Sequence, residues 1–282
     1  MAKFLSGIEV AESVLADVAE RSAKVKANGR APGLGTILVG DDGPSASYVK
    51  KKHETCETVG VKSFHIGIDA LADPTALTSA VAEFNQNPEV DAYIIQHPTP
   101  DGFDFNAALM QMSPDKDGDG LHPVNLGRLV LQQDGPRPAT PAGILEMLTH
   151  YEVDLAGKNV VVVGRGPTLG RPMALMLANK GVDAAVTVVH SRVPDIASYT
   201  MNADVIVSAV GRPNTITPDM VADGAVVVSG GISWEGKKLL PDVDEAVGEK
   251  ASWITPRLGG VGPTTVAMLL QNTVSAAEKF PG

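Results

Sequence analysis

The chain has 282 residues, 44% apolar and 20% charged, enough for about two domains with cores of their own. Its 33 acidic against 23 basic residues leave a net charge of −10, which excludes broad binding to nucleic acid or to an anionic membrane. No run approaches the ~18 apolar residues of a membrane span, residues 1–10 hold no apolar signal segment, and a single cysteine, Cys56, rules out an intrachain disulfide, so a reducing cytoplasm is expected.

Apolar positions at Ile8, Val10, Ala11, Val14, Leu15 and Val18 predict a helix over residues 7–26. Residues 35–40 (GTILVG) read as a buried strand, 45–59 as a helix, 61–68 as a second strand, 74–84 as a helix and 91–95 as a third strand running into Gln96. A short helix over 106–112 precedes a polar, Gly- and Pro-marked stretch, 113–141, and a helix over 144–151. A second alternation follows: strand 159–163, helix 169–180, strand 186–190, helix 194–202, and strands 204–209 and 225–229. Residues 259–263 break the chain before a last amphipathic helix, 264–278. Two such runs predict two α/β domains with parallel strands, the second of Rossmann type. The boundary falls near 137–140, with the last helix returning to the first domain, so the expected domains are 1–139 plus 264–282, and 140–263.

Residues 160–170 read VVVVGRGPTLG: four valines, then Gly164, Gly166 and Gly170, then a helix. Strand, glycine turn and helix N-terminus place free backbone N–H groups and the positive end of the helix dipole at one spot, which suits a pyrophosphate. The next strand ends in His190-Ser191-Arg192, without the acidic residue that binds the ribose 2′-hydroxyl of NAD. With Arg165 in the glycine loop, Ser191 and Arg192 suit a 2′-phosphate instead, so the expected cofactor is NADP.

Tyr48 and Lys52 are i and i+4 on the second helix and share a face, where a partly desolvated phenol and amine could move protons, although spacing alone favours a structural pair over a catalytic one. Lys50 and Lys51 read as solvated, and Cys56, one turn on, as a small buried residue. Gln96 ends a strand, where α/β sheets place ligand groups, although on its own it reads as an ordinary strand-end amide. Asp115-x-Asp117-x-Asp119-Gly120 opens like a calcium loop, but Leu126 stands where the twelfth-position Glu belongs, so calcium is rejected. A rigid turn with its carboxylates toward a polar ligand is expected there, and no metal.

Several segments occur together in one family: Tyr48-x-x-x-Lys52, Gln96-x-Pro98, residues 116–127 (KDGDGLHPVNLG), Thr140-Pro141, Gly164-Arg165-Gly166, residues 210–213 (VGRP) and residues 259–265 (GGVGPTT). The chain resembles the bifunctional methylenetetrahydrofolate dehydrogenase/methenyltetrahydrofolate cyclohydrolases, the FolD family, over nearly its whole length. The resemblance implies a folate-binding and an NADP-binding domain flanking a cleft, in a homodimer. It implies oxidation of 5,10-methylenetetrahydrofolate and hydrolysis of the product to 10-formyltetrahydrofolate. Carried over, Lys52 is the acid/base group, Tyr48 aligns folate and supports Lys52, Gln96 tunes Lys52, and Asp119 grips the pterin. Gly260 and Pro263 then contact substrate. Gly164, Arg165, Gly166, Ser191 and Arg192 hold the dinucleotide, and Ile232 lies near the nicotinamide.

Gly166, Ala139, His97, Thr99, Ser229-Gly230 and Arg257-Leu258 depart from the family pattern, several of them at the nucleotide site. Competing readings are a monofunctional dehydrogenase and a non-catalytic NADP or folate sensor. A shikimate-type dehydrogenase shares the layout but leaves residues 116–127 unexplained.

Overall fold

The computed structural model describes residues 1–40, 43–236 and 238–279. The chain opens with a two-residue strand, β1 (Lys3–Phe4), and helix α1 (Gly7–Ala27). Strands β2 (Gly33–Val39), β3 (Lys62–Ile68) and β4 (Ala92–Ile95) alternate with helices α2 (Gly43–Thr58), α3 (Thr75–Gln86) and α4 (Phe105–Gln111). A 3-10 turn, Pro114–Lys116, leads to α5 (Pro123–Val130) and α6 (Ala139–His150). The second alternation comprises β5 (Asn159–Val163), α7 (Gly170–Ala178), β6 (Ala185–Val189), α8 (Ala197–Thr200), β7 (Val205–Ser208) and β8 (Val226–Ser229). A hairpin of β9 (Ile232–Glu235) and β10 (Lys238–Pro241), strand β11 (Trp253–Ile254) and helix α9 (Val261–Lys279) complete it.

Two compact units result: Met1–Ala11 with Thr140–Thr265, and Glu12–Ala139 with Val266–Gly282. The first carries a six-stranded parallel sheet in the order β1-β11-β8-β7-β5-β6. Its central strand explains the valine run. Val160 and Val162 enter one buried cluster with Met173 and Leu177, whereas Val161 and Val163 enter another with Ile206 and Val227. A strand covered on both faces has no polar side to alternate with, and each buried valine contributes about 1.5–3 kcal/mol. The second unit holds the three-stranded parallel sheet β3-β2-β4, in which every residue of β2 is buried.

This division differs from the expected one at the N-terminus. Lys3 and Phe4 pair with Trp253 and Ile254, and Leu5 joins the core around Ile144 and Met147, so residues 1–11 go with the second alternation. The expected piece 264–282 also reaches residues 280–282, outside those described. Helix α5 lies in the polar, Gly- and Pro-marked stretch 113–141, because Pro123 sits at the first helical position, where its missing N–H costs nothing. His122 caps that helix, its Nδ1 accepting from Val124 N at 3.1 Å. The helix expected over 194–202 is only the single turn α8, and the β9–β10 hairpin and β11 add strands that the sequence pattern does not mark.

Candidate active site

In the three-stranded unit, β2 lies between β3 and β4, so the connections diverge at the C-terminal ends of β2 and β4, where open α/β sheets bind ligands. Gln96 leaves β4 at that point, its backbone N–H bound to Ile37 O at 2.8 Å. Helix α2, entered from β2, supplies Tyr48 and Lys52. Lys52 is only 3% exposed, its Nζ donates to Gln96 Oε1 at 3.0 Å, and it lies 4.6 Å from the centre of the Tyr48 ring. Burial lowers the amine from 10.5 to about 8, against the opposing pull of the Asp119 charge. The lysines read as solvated, Lys50 and Lys51, are exposed. Cys56 is fully buried, and that burial pushes its thiol up to about 12, so it packs as a small protonated side chain.

Asp119 arrives along the edge of the same sheet. Asp117 forms a parallel bridge with Tyr93, and Gly118 N donates to Tyr93 O at 3.0 Å, which carries the segment beside β4 toward Gln96. The three carboxylates do not act alike, contrary to the expectation that all face a ligand. Asp115 is exposed and pairs with Arg128 at 3.3 Å. Asp117 is buried and organises the turn itself, accepting from Gly120 N (3.0 Å), His122 N (2.7 Å) and Asn125 Nδ2 (2.9 Å). Asp119 alone is left half-buried without such bonds to its turn; burial raises its carboxyl, Lys52 opposes the shift and Asp117 adds to it. Gly120, at φ +69°, is obligatory, because a Cβ there would lie 2.3 Å from the Arg137 carbonyl carbon.

In the six-stranded unit the corresponding point lies between β5 and β7. Val163 pairs with Val189 on one side and Ser208 on the other, and Ser208 with Ser229, so the loops leaving all four strands start at one level. Arg165 and Ser191 each come two residues beyond the Val163–Val189 pair; both are exposed, as is Arg192. Gly164 has φ +119°, and a Cβ there would stand 2.2 Å from Ala209 O; one at Gly170 would stand 2.4 Å from Gly164 O. A side chain at Gly166 meets open space. The turn is therefore closed tightly against the sheet on one side and open on the other, with two guanidinium groups and a hydroxyl near its level. A phosphorylated dinucleotide fits this donor set, through backbone N–H groups for the pyrophosphate and cations for the 2′-phosphate.

Ile232 begins β9 and is 50% exposed. Gly260, buried in the turn before α9, and half-buried Pro263, in the first turn of α9, belong to this unit rather than to the one holding Lys52. Among the departures, the Ser229 hydroxyl is buried with no hydrogen-bond partner among the described residues, and a Cβ at Gly230 would lie 2.7 Å from Leu169 Cδ2.

A parallel sheet with a dinucleotide-type glycine turn, joined in one chain to an α/β unit carrying a buried lysine, defines the class: a two-domain oxidoreductase fold with a second centre suited to proton transfer. Residues 5–119 match the tetrahydrofolate dehydrogenase/cyclohydrolase catalytic domain, and residues 138–280 match the NAD(P)-binding domain of the same proteins. The chain belongs to the tetrahydrofolate dehydrogenase/cyclohydrolase family. It is 65% identical over 280 residues to the bifunctional protein FolD of Syntrophotalea carbinolica, covering 99% of this chain and 97% of that one. The bifunctional FolD methylenetetrahydrofolate dehydrogenase/cyclohydrolase of Campylobacter jejuni superposes with a TM-score of 0.94 at 38% identity, over 99% of each chain. The Trypanosoma brucei FolD complexed with NADP and an inhibitor gives 0.93 at 35% identity, over 99% of this chain and 98% of that one.

Proposed function

We propose that the chain oxidises 5,10-methylenetetrahydrofolate with NADP⁺ and hydrolyses the resulting methenyl compound to 10-formyltetrahydrofolate. The observation that carries this reading is the buried Lys52 amine, 3.0 Å from Gln96 Oε1 and over the Tyr48 ring, in a chain whose relatives are bifunctional FolD proteins. Gly164, Arg165, Gly166, Ser191 and Arg192 hold NADP, with Ile232 near the nicotinamide; the absence of an acid at the end of β6 supports NADP over NAD. Bound NADP⁺ supplies the acceptor for the hydride from the methylene carbon.

Hydride loss leaves a cationic amidinium carbon, already electrophilic, so the remaining work is positioning and proton transfer. An unperturbed lysine would be almost wholly charged near neutral pH and a poor base. Lowered to about 8, Lys52 has a usable neutral fraction that takes a proton from the attacking water. The resulting ammonium then returns a proton to the departing N5 as the C–N5 bond breaks, and the hydroxyl proton of the intermediate leaves to solvent as the formyl C=O forms. Gln96 Oε1 holds one N–H of Lys52, leaving the lone pair or the remaining protons for substrate, and the Tyr48 ring stabilises the ammonium phase. Asp119 binds the polar edge of the pterin; a half-buried carboxylate that gains N–H donors from a ligand recovers solvation it has lost.

The protein works in the cytoplasm, consistent with a lone buried thiol. It acts as a homodimer, for which the edge strand β6, with Val188 exposed, offers a pairing surface. Adding methylenetetrahydrofolate and NADP⁺ should raise the methenyl absorbance, which should then decay faster than its spontaneous rate. A methenyl signal that persists at the spontaneous rate identifies a monofunctional dehydrogenase. No signal despite NADP⁺ binding identifies a sensor.

A further inference from the structure

Asp242 is fully buried in the six-stranded unit, at the end of the hairpin formed by β9 and β10. Its side-chain partners come from the last residue of β7 and the loop that follows it. Its Oδ2 accepts from Ser208 Oγ at 2.9 Å and Val210 N at 2.8 Å, and its Oδ1 accepts from Arg212 N at 2.9 Å. The carboxylate also reaches the loop leaving β8: a Cβ on Gly231 would lie 2.1 Å from Asp242 Oδ2 and 2.6 Å from Gly211 N. Ser208 and Ser229, the last residues of β7 and β8, are paired partners, so both loops start from the level of the glycine turn. Ile232, one residue past Gly231, follows directly.

We propose that Asp242 is the positioning residue of the nicotinamide end of the dinucleotide site: its carboxylate fixes the Val210–Arg212 backbone through two hydrogen bonds, and its own N–H, donating to Gly231 O at 3.3 Å, ties that loop to Gly231–Ile232. The inference rests on the NADP reading of that site. Charge-assisted bonds from backbone N–H groups are among the stronger ones in a protein, and here two of them hold the loop after β7 to the carboxylate while the Asp242 backbone N–H holds the loop after β8. Asp242 makes none of its side-chain bonds to the residues around Lys52, so its effect is confined to nucleotide binding.

The family's two activities provide the control. Asp242→Asn turns an N–H group toward the loop's own donors. It should raise the NADP⁺ dissociation constant, measured by calorimetry, and KM for NADP⁺ by about tenfold or more. Hydrolysis of added methenyltetrahydrofolate, without nucleotide, should stay within about twofold of wild type. Ser208→Ala removes one donor, keeps the carboxylate, and should give a smaller rise in the same direction. It carries the test if the Asn variant does not fold. Unchanged NADP⁺ affinity in either folded variant overturns the proposal, as does loss of hydrolysis in parallel with loss of NADP⁺ affinity. Failure of the wild-type chain to bind NADP⁺ overturns instead the reading on which the inference rests.

Discussion

Lys52→Met tests the link between burial and chemistry in two ways. The drop from 10.5 to about 8 means that holding the charged amine in its site costs about 3 kcal/mol relative to water. Met removes that cost but leaves Gln96 Oε1 without its donor, a loss of about 1–3 kcal/mol. The two nearly cancel, so the variant should fold with stability within about 2 kcal/mol of wild type. Its cyclohydrolase rate should fall by about 10²–10⁴, the usual range for a general acid/base group, while part of the dehydrogenase activity survives. The pH dependence carries the second signature. The unfolded chain keeps the lysine proton up to about 10.5, the folded chain only to about 8, so the unfolded state binds more protons between these values. Wild-type stability should therefore rise relative to the variant, by about 3 kcal/mol in all, as pH passes from 8 to 10.5. Urea unfolding of both proteins across that window, with decay of methenyl absorbance at fixed pH, measures both effects. Hydrolysis by the variant at the wild-type rate, or a stability difference that does not change with pH, would refute the reasoning.

Gln96→Ala removes the acceptor that favours the charged amine, so the Lys52 transition should move below 8 and hydrolysis should fall about 10- to 100-fold; a pH–rate profile with its inflection unchanged contradicts this. Arg165→Ala with Ser191→Ala should raise KM for NADP⁺ by about tenfold or more and leave the weaker use of NAD⁺ almost unchanged. Parallel losses with both nucleotides would place these residues away from the 2′-phosphate.

What could be read in the sequence follows the range of the physics involved. The β5 valines and the glycine turn are local: a strand buried on both faces must be apolar throughout, and Gly164 must take φ +119° against Ala209. Tyr48 and Lys52 are neighbours by helical spacing alone, yet that spacing says nothing about burial, and the partner that defines their chemistry, Gln96, lies 44 residues away on another element. Family resemblance, not spacing, pointed to it. The Asp115, Asp117 and Asp119 pattern looks uniform in sequence; only the bridge from Asp117 to Tyr93 sends one carboxylate into the turn and leaves Asp119 half-buried without bonds to it. Strands β1 and β11 have two residues each, too short for any period, and exist because a larger sheet offers them an edge. Asp242 carries no motif at all, since its meaning lies in the loops that converge on it.

The central claim is that the Lys52 amine is a buried proton carrier. NMR titration of side-chain-labelled lysine, with the Lys52 signal assigned by its loss in Lys52→Met, reads that group directly. A transition near 8 is the predicted result. A transition at the ordinary value above 10 would mean a solvated ammonium, and the mechanism built on it would be wrong.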